Sequence, residues 1–345
     1  MSPFQWRRAV PLLAVDLGGT FLRCGVAQDN GDIVALRRSR ISTFLDGAAP
    51  EAVWDSILSE IASYAIDVDS LLGPGEPIVV SFPGPVSGGR VIHAAPTVVG
   101  AHASIPDLAA LLEARTRRPV RILNDISAAA WYVCGRVAVD RFMVVTVSSG
   151  IGSKIFDRRH AAGVLDDLPY AGEIGHCVVD FAADAPACDC GGLGHLGAIS
   201  SGRGTERLAR RKAREEPAAF AASRCCTVYG AAPDSLNNEQ HFVPAVRSGD
   251  EWALDVLRLA MRPLASVIAA TTYAAGLEHV AIVGGFAVEI GAAYIDCMEG
   301  LLRPLSHPSP FAIPASGFVT LADLHPEACL LGAAEYGRRL ETAAR

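Results

Sequence analysis

The chain has 345 residues, half of them hydrophobic, and a formal net charge of -7 at pH 7. That length exceeds what a single hydrophobic core usually serves, so two domains or one bilobal unit are expected. The charge excludes a global basic field for nucleic acid or an anionic membrane surface, and nine cysteines without framework spacing argue against a disulfide scaffold.

In chain order, Arg7 and Arg8 precede an apolar run that imitates a secretion signal, but Asp16 ends it and no small-residue cleavage site follows. Later apolar stretches such as LASVIAATTYAAGL are too short and too rich in Thr and Gly to predict a membrane span, so a cytoplasmic protein is expected. Three β-rich runs at 10–17, 21–28 and 33–40 are separated by Gly18-Gly19-Thr20 and Asp29-Asn30-Gly31-Asp32, which predicts a meander of hairpins. Val53, Ile57, Leu58, Ile61 and Ala65 mark one face of a helix. A strand over 78–82 stops at the PGP of 83–85; a helix at about 105–116, a strand at 120–124 and a helix from Ile126 to Val133 follow.

A second lobe opens with a strand at 141–149, then loses periodicity between Asp157 and Gly202, as a loop-built site does. Helices are predicted at 203–215 and 250–275, the latter stopped by Gly276, then a strand at 279–285 and helices at 286–303 and from Pro326 to Leu340. The polar stretch from Cys225 to Gln240 reads as an insertion. Cys24, Cys134, Cys297 and Cys329 sit in apolar runs and read as small core residues. The alternation of strands and helices implies an α/β fold, with lobes at 1–124 plus 327–345 and at 125–326.

Three glycine turns follow strands. AVDLGGT places Asp16 at a strand end ahead of Gly18, Gly19 and Thr20; VTVSSGIGSK carries Gly150 and Gly152; VGGF carries Gly284 and Gly285. Backbone amides in such turns can approach a phosphate closely, and ordinary hairpin or helix-entry turns use the same residues. Asp125 joins a strand to a helix, where it can serve as an N-cap, as the base for an attacking hydroxyl, or as both. His176, Cys188, Cys190 and His195 supply the donors for a closed tetrahedral zinc site, although C-x-C is tighter than the usual C-x2-C spacing.

Taken together these stretches resemble the ROK family of bacterial sugar kinases, glucokinases in particular. The resemblance is carried by DLGGT at 16–20, FPGPV at 82–86, AP at 95–96, ND at 124–125, GIG at 150–152, AGEIGH at 171–176, CDCG and GH within 188–195, SG at 201–202, SGDEWA at 248–253 and VGGF at 283–286. It implies an actin-like, hexokinase-type ATPase fold of two α/β lobes with a cleft between them, the final helix returning to the first lobe. It also implies Asp125 as the catalytic base and Asn124, Glu173, His176, Gly84 and Thr97 as the substrate set. Asp16, Gly18, Gly19, Thr20, Gly150, Gly152, Gly284 and Gly285 would face ATP and magnesium. A structural zinc on His176, Cys188, Cys190 and His195 would brace the loop that bears Glu173.

The departures concern the substrate. His195 stands where the family has a third cysteine, and Gly197 replaces a glutamate that contacts hydroxyls near the anomeric carbon of glucose. Thr97 stands in for an asparagine, Ala101 for a common tryptophan, and Lys154 for a glycine of the second phosphate loop. Lys154 is open to two readings, a phosphate contact or an outward-facing strand residue. Loss of a polar partner for a hydroxyl sacrifices about 1–3 kcal/mol of discrimination, so glucose is expected to fit poorly and a C7-cyclitol, as in aminocyclitol antibiotic pathways, to fit better. Glucose or another hexose or amino sugar remains the alternative substrate, and polyphosphate the alternative donor. A non-catalytic sugar-sensing ROK protein is the third reading; the fifteen residues ahead of Asp16 are too few for a helix-turn-helix module. The expected partners are a sugar or cyclitol and ATP, with no nucleic acid or membrane, in a homodimer like those of relatives.

Overall fold

The structure, a computed structural model, describes residues 11–343 apart from 29–30, 74, 101, 309–311, 315 and 323–324. Arg7, Arg8, the turn residues Asp29 and Asn30, and Ala101 therefore lie outside the described residues. The chain forms two compact units, one from 1–138, 160–171 and 324–345, the other from 139–159 and 172–323.

In the first unit, β1 (Leu12–Leu17), β2 (Phe21–Ala27) and β3 (Ile33–Arg40) form the expected meander, and α1 (Pro50–Asp67) leads to β4 (Ile78–Phe82). A small ribbon, β5 (Val86–Ser87) and β6 (Val91–Ile92), precedes α2 (Pro96–Val99), α3 (Leu108–Thr116), β7 (Val120–Asn124) and α4 (Asp125–Cys134). The sheet order is β3-β2-β1-β4-β7, with β1, β4 and β7 parallel. All six residues of β1 are buried, because its LLAVDL run serves both sheet faces. Leu13, Val15 and Leu17 meet the apolar face of α1, where Val53, Ile57, Leu58 and Ile61 recur at helical spacing.

The second unit contains β8 (Arg141–Val147), β9 (Ile151–Asp157), α5 (Leu196–Ser200), α6 (Gly202–Glu215), α7 (Pro217–Ala222), α8 (Arg224–Thr227), α9 (Val243–Arg247) and α10 (Glu251–Ala275). Then come β10 (His279–Val283), α11 (Gly285–Ile290), α12 (Ala292–Leu302) and β11 (Val319–Leu321). Its sheet runs β11-β10-β8-β9, antiparallel only at the β8–β9 hairpin. Asp250 caps α10 through Ala253 N at 2.8 Å, and Gly276 ends it in the left-handed conformation. The last helix, α13 (Ala328–Ala343), belongs to the first unit and packs on α4 and β1.

Four expectations change. The boundary between units falls after α4 rather than before it, because α4 packs along α13, and 160–171 joins the first unit, where Asp166 accepts a 2.6 Å bond from Ser127 Oγ. The helix expected at 286–303 breaks at Gly291, whose φ of 75° suits glycine alone. The stretch read as an insertion is partly core: Cys225 and Leu236 are fully buried, and Leu236 O accepts Arg210 Nε at 2.6 Å. The three-residue β11 carried too short a pattern to be expected. Among the described residues no helix is long and apolar enough to cross a membrane.

Gly332 lets α13 lie against α4, since a Cβ there would collide with the carbonyl of Ala128 and approach Tyr132 N to 3.1 Å. Gly332→Ala is expected to destabilise the protein by about 3 kcal/mol, read as a shifted urea midpoint. Gly300→Ala, on α12 with nothing within 4 Å of its Cβ, is the control and should be neutral or stabilising.

Candidate active site

In the first unit the chemistry-bearing residues collect at the carboxyl ends of the parallel strands, the usual ligand edge of such sheets. The register aligns Asp16 of β1 with Ser81 of β4, and Phe82 of β4 with Asn124 of β7. Asp16 is buried; its Oδ2 accepts Arg23 Nη1 at 2.8 Å and its Oδ1 accepts Ser81 Oγ at 3.1 Å. Burial pushes the Asp16 carboxyl up from its ordinary value, against the opposing pull of Arg23 and Ser81. Beyond it the β1–β2 turn is open: Gly18 N donates to Phe21 O at 2.9 Å, Gly19 and Thr20 are exposed, and a Cβ on Gly19 would meet nothing within 4 Å.

Asn124, rather than Asp125, is the N-cap of α4: its Oδ1 accepts Ile126 N at 2.9 Å and Ser127 N at 3.3 Å. Its Nδ2 donates to Gly84 O at 2.9 Å, so most of the side chain's bonding capacity holds the strand-to-helix turn and the PGP turn together. Gly84 also lets the PGP turn lie against residue 94, since a Cβ would strike the carbonyl of Ala94. Asp125 is the first helical residue, half-buried, and its Oδ1 accepts its neighbour Ile126 N at 2.8 Å. Thr97 is exposed in the single turn of α2.

Cys329, read from sequence as plain core, is only partly buried and donates to Asp125 O at 3.6 Å from the first turn of α13. Burial, reinforced by the Asp16 and Asp125 carboxylates, pushes its thiol well up, so it stays protonated. Neither Cys329 nor Ser81 carried a sequence signal for this position. Arg23 did, because a tight Gly18-Gly19 turn sets it opposite Asp16 across the hairpin.

In the second unit, Ser148 N donates to Gly150 O at 3.0 Å across the β8–β9 turn, and Gly152 pairs with Thr146. Gly150 and Gly285 are open on their Cβ side, whereas Gly284, at φ 98°, would place a Cβ 2.6 Å from Val147 O. The AGEIGH segment is pressed onto β9: side chains on Gly172 and Gly175 would collide with the carbonyls of Ser153 and Ile151. Glu173 starts a 3-10 turn, Ile174–His176, and its carboxylate makes no hydrogen bond to a described residue. Lys154 is buried, with only 2% of its surface exposed, which overturns the outward-facing reading.

His176, Cys188, Cys190 and His195 converge as the spacing predicts, with all four ligand atoms within 4.8 Å of one another. Nδ1 of His195 lies 3.2 Å from Cys190 Sγ and Nδ1 of His176 lies 4.0 Å from Cys188 Sγ, against about 3.6 Å between S and N ligands of a tetrahedral zinc. Two thiols and two imidazoles at this spacing fit such an ion. The His195 ring has room because residue 192 is glycine; a Cβ there would sit 2.5 Å from its Nε2. Beside the clamp a cavity of about 190 Å³ is lined by Gly150, Gly175, His176, Gly197, Arg203 and Arg207, among others. The two arginines went unnoticed in the sequence, where they are two of many in a basic helix. A Cβ on Gly197 would stand 3.2 Å from Gly175 O.

Known proteins resemble the chain along most of its length. A C(7)-cyclitol 7-kinase from Streptomyces hygroscopicus subsp. jinggangensis is 38% identical over 82% of this chain and 81% of its own. A 2-epi-5-epi-valiolone 7-kinase from an Actinoplanes species is 29% identical over 85% of this chain and 82% of its own. In three dimensions the chain resembles a ROK family glucokinase from Streptomyces griseus, crystallised with glucose and AMPPNP, with a TM-score of 0.67, 23% identity, and 94% and 98% of the two chains covered. The ROK family pattern itself matches residues 12–336, and the chain belongs to the ROK family.

Proposed function

We propose that the protein is a kinase that moves the γ-phosphoryl group of ATP to a primary hydroxyl of a C7-cyclitol. The observation that carries the reading is the fixed placement of Asp125 at the carboxyl end of β7, on a helix start held by Asn124. The chain-wide likeness to C(7)-cyclitol 7-kinases points the substrate in the same direction. The glucokinase crystallised with AMPPNP supports ATP as donor.

In the proposed step Asp125 takes the hydroxyl proton while the substrate oxygen forms its bond to the γ-phosphorus, and the bond from that phosphorus to the bridging oxygen breaks to release ADP. The Asp125 Oδ1 bond to Ile126 N limits carboxylate rotation, and the Asn124 cap fixes the backbone from which it projects. Glu173 would accept further substrate hydroxyls. With Nδ1 facing the thiols, the second ring nitrogen of His176 would carry the proton and donate to a substrate hydroxyl oxygen. Gly197, where the family resemblance implies a carboxylate, lines the cavity beside the clamp, and its lack of a side chain would disfavour glucose.

In the first unit the amides of the open Gly18–Thr20 turn would bind phosphate, and in the second unit those of the Gly150–Gly152 turn and of Gly285 would do so. Magnesium would neutralise phosphate charge, and Asp16 suits a water-mediated hold because each engaged oxygen retains a lone pair. Zinc at His176, Cys188, Cys190 and His195 would cross-link the loop behind Glu173.

The direct test measures ADP release against C7-cyclitols, glucose and amino sugars. A C7-cyclitol should give the highest kcat/KM, and Asp125→Asn should lower kcat by about 100- to 10,000-fold. Glucose turnover equal to that of every cyclitol, or an active Asp125→Asn enzyme, contradicts the reading. The clamp has a separate test: Gly192→Ala should displace the His195 ring and weaken zinc binding about 10- to 100-fold in chelator competition.

A further inference from the structure

Asp189 lies between the two cysteines of the clamp, and its Oδ2 forms an ion pair with Arg203 Nη2 at 2.7 Å. Arg203, the second residue of α6, also donates from Nε to the carbonyl of Ser149 at 2.9 Å. Its neighbour docks on the same turn: Gly202 N donates to Ser148 O at 2.8 Å, and a Cβ on Gly202 would lie 2.9 Å from that oxygen. One planar guanidinium thus spans from the cysteine turn to the β8–β9 turn, entirely within the second unit.

We propose that Asp189 and Arg203 are positioning residues that join the metal clamp to the second phosphate turn, so that metal occupancy and nucleotide affinity rise together. The contacts are independent of any reaction; their link to nucleotide rests on the kinase reading above.

The physical argument turns on exposure. The Asp189 and Arg203 side chains are 67% and 57% exposed, and an exposed pair between two freely moving side chains stabilises little, largely because holding both in one geometry costs entropy. Ligation of Cys188 and Cys190 fixes the backbone on either side of Asp189, which removes part of that entropy loss before the pair forms. Without the metal, the C-D-C turn loses its cross-link, Arg203 loses its anchor, and the Ser149 carbonyl is no longer held. The amides of the following turn then lose their common aim. Lysine cannot replace Arg203, because a single ammonium lacks the rigid fork that reaches both partners. A backbone route through Gly175, packed on the Ile151 carbonyl, survives any change at Asp189, so a small residual coupling is expected.

Linkage makes the coupling reciprocal: whatever factor zinc contributes to nucleotide affinity, nucleotide contributes to zinc affinity. Zinc affinity would be measured by competition with a chromophoric chelator, with and without saturating magnesium AMPPNP, for the full chain and for Asp189→Asn and Arg203→Lys. The wild type should bind zinc about 3- to 10-fold more tightly with nucleotide, and each variant by less than about 2-fold. A full wild-type factor in both variants, or no factor in a wild type that binds both ligands, overturns the coupling alone. If calorimetry finds no AMPPNP binding to the wild type, the nucleotide reading fails and the coupling fails with it.

Discussion

The parallel register of β1, β4 and β7 is the constraint on which the first unit's site depends. It sets Asp16 beside Ser81 and brings Asn124 level with Phe82, so three strands distant in sequence end on one line. Burial of the Asp16 carboxylate is tolerated because Arg23, one hairpin pairing away, and Ser81, one strand away, both bond it. A change of register by a single residue would turn Asp16 to the α1 side and leave that charge against Ile57 and Ile61.

Close backbone approach does the corresponding work in the second unit. Gly172 and Gly175 allow the AGEIGH segment to lie directly on β9, and Gly194 does the same against the Asp180 carbonyl, where a side chain would collide. Glu173 gains a defined position without spending its own carboxylate on structure.

Most of this architecture was legible in the residue pattern. The strand ends at Asp16 and Asn124, the helix from Asp250 to Gly276, and the convergence of His176, Cys188, Cys190 and His195 all follow from local spacing and cap chemistry. What escaped was decided by distant packing. Cys329 reaches Asp125 across 204 residues, Leu236 is buried by contacts its polar neighbours do not announce, and Lys154 is enclosed although β-alternation alone would let it face water. The break at Gly291 was readable in principle, yet an isolated glycine within a helical pattern is as often tolerated as not.

A His195 in place of the third cysteine that the family resemblance implies would change the electrostatics as well as the geometry of a metal-loaded clamp. A divalent ion with two thiolates and two neutral imidazoles has no formal charge, whereas three thiolates and one imidazole would leave a net negative centre. The clamp adjoins the cavity lined by Gly150, Arg203 and Arg207, so a neutral centre there would add no negative charge to that of Asp189 against those arginines. It also leaves two sulfur atoms instead of three for an oxidant to attack.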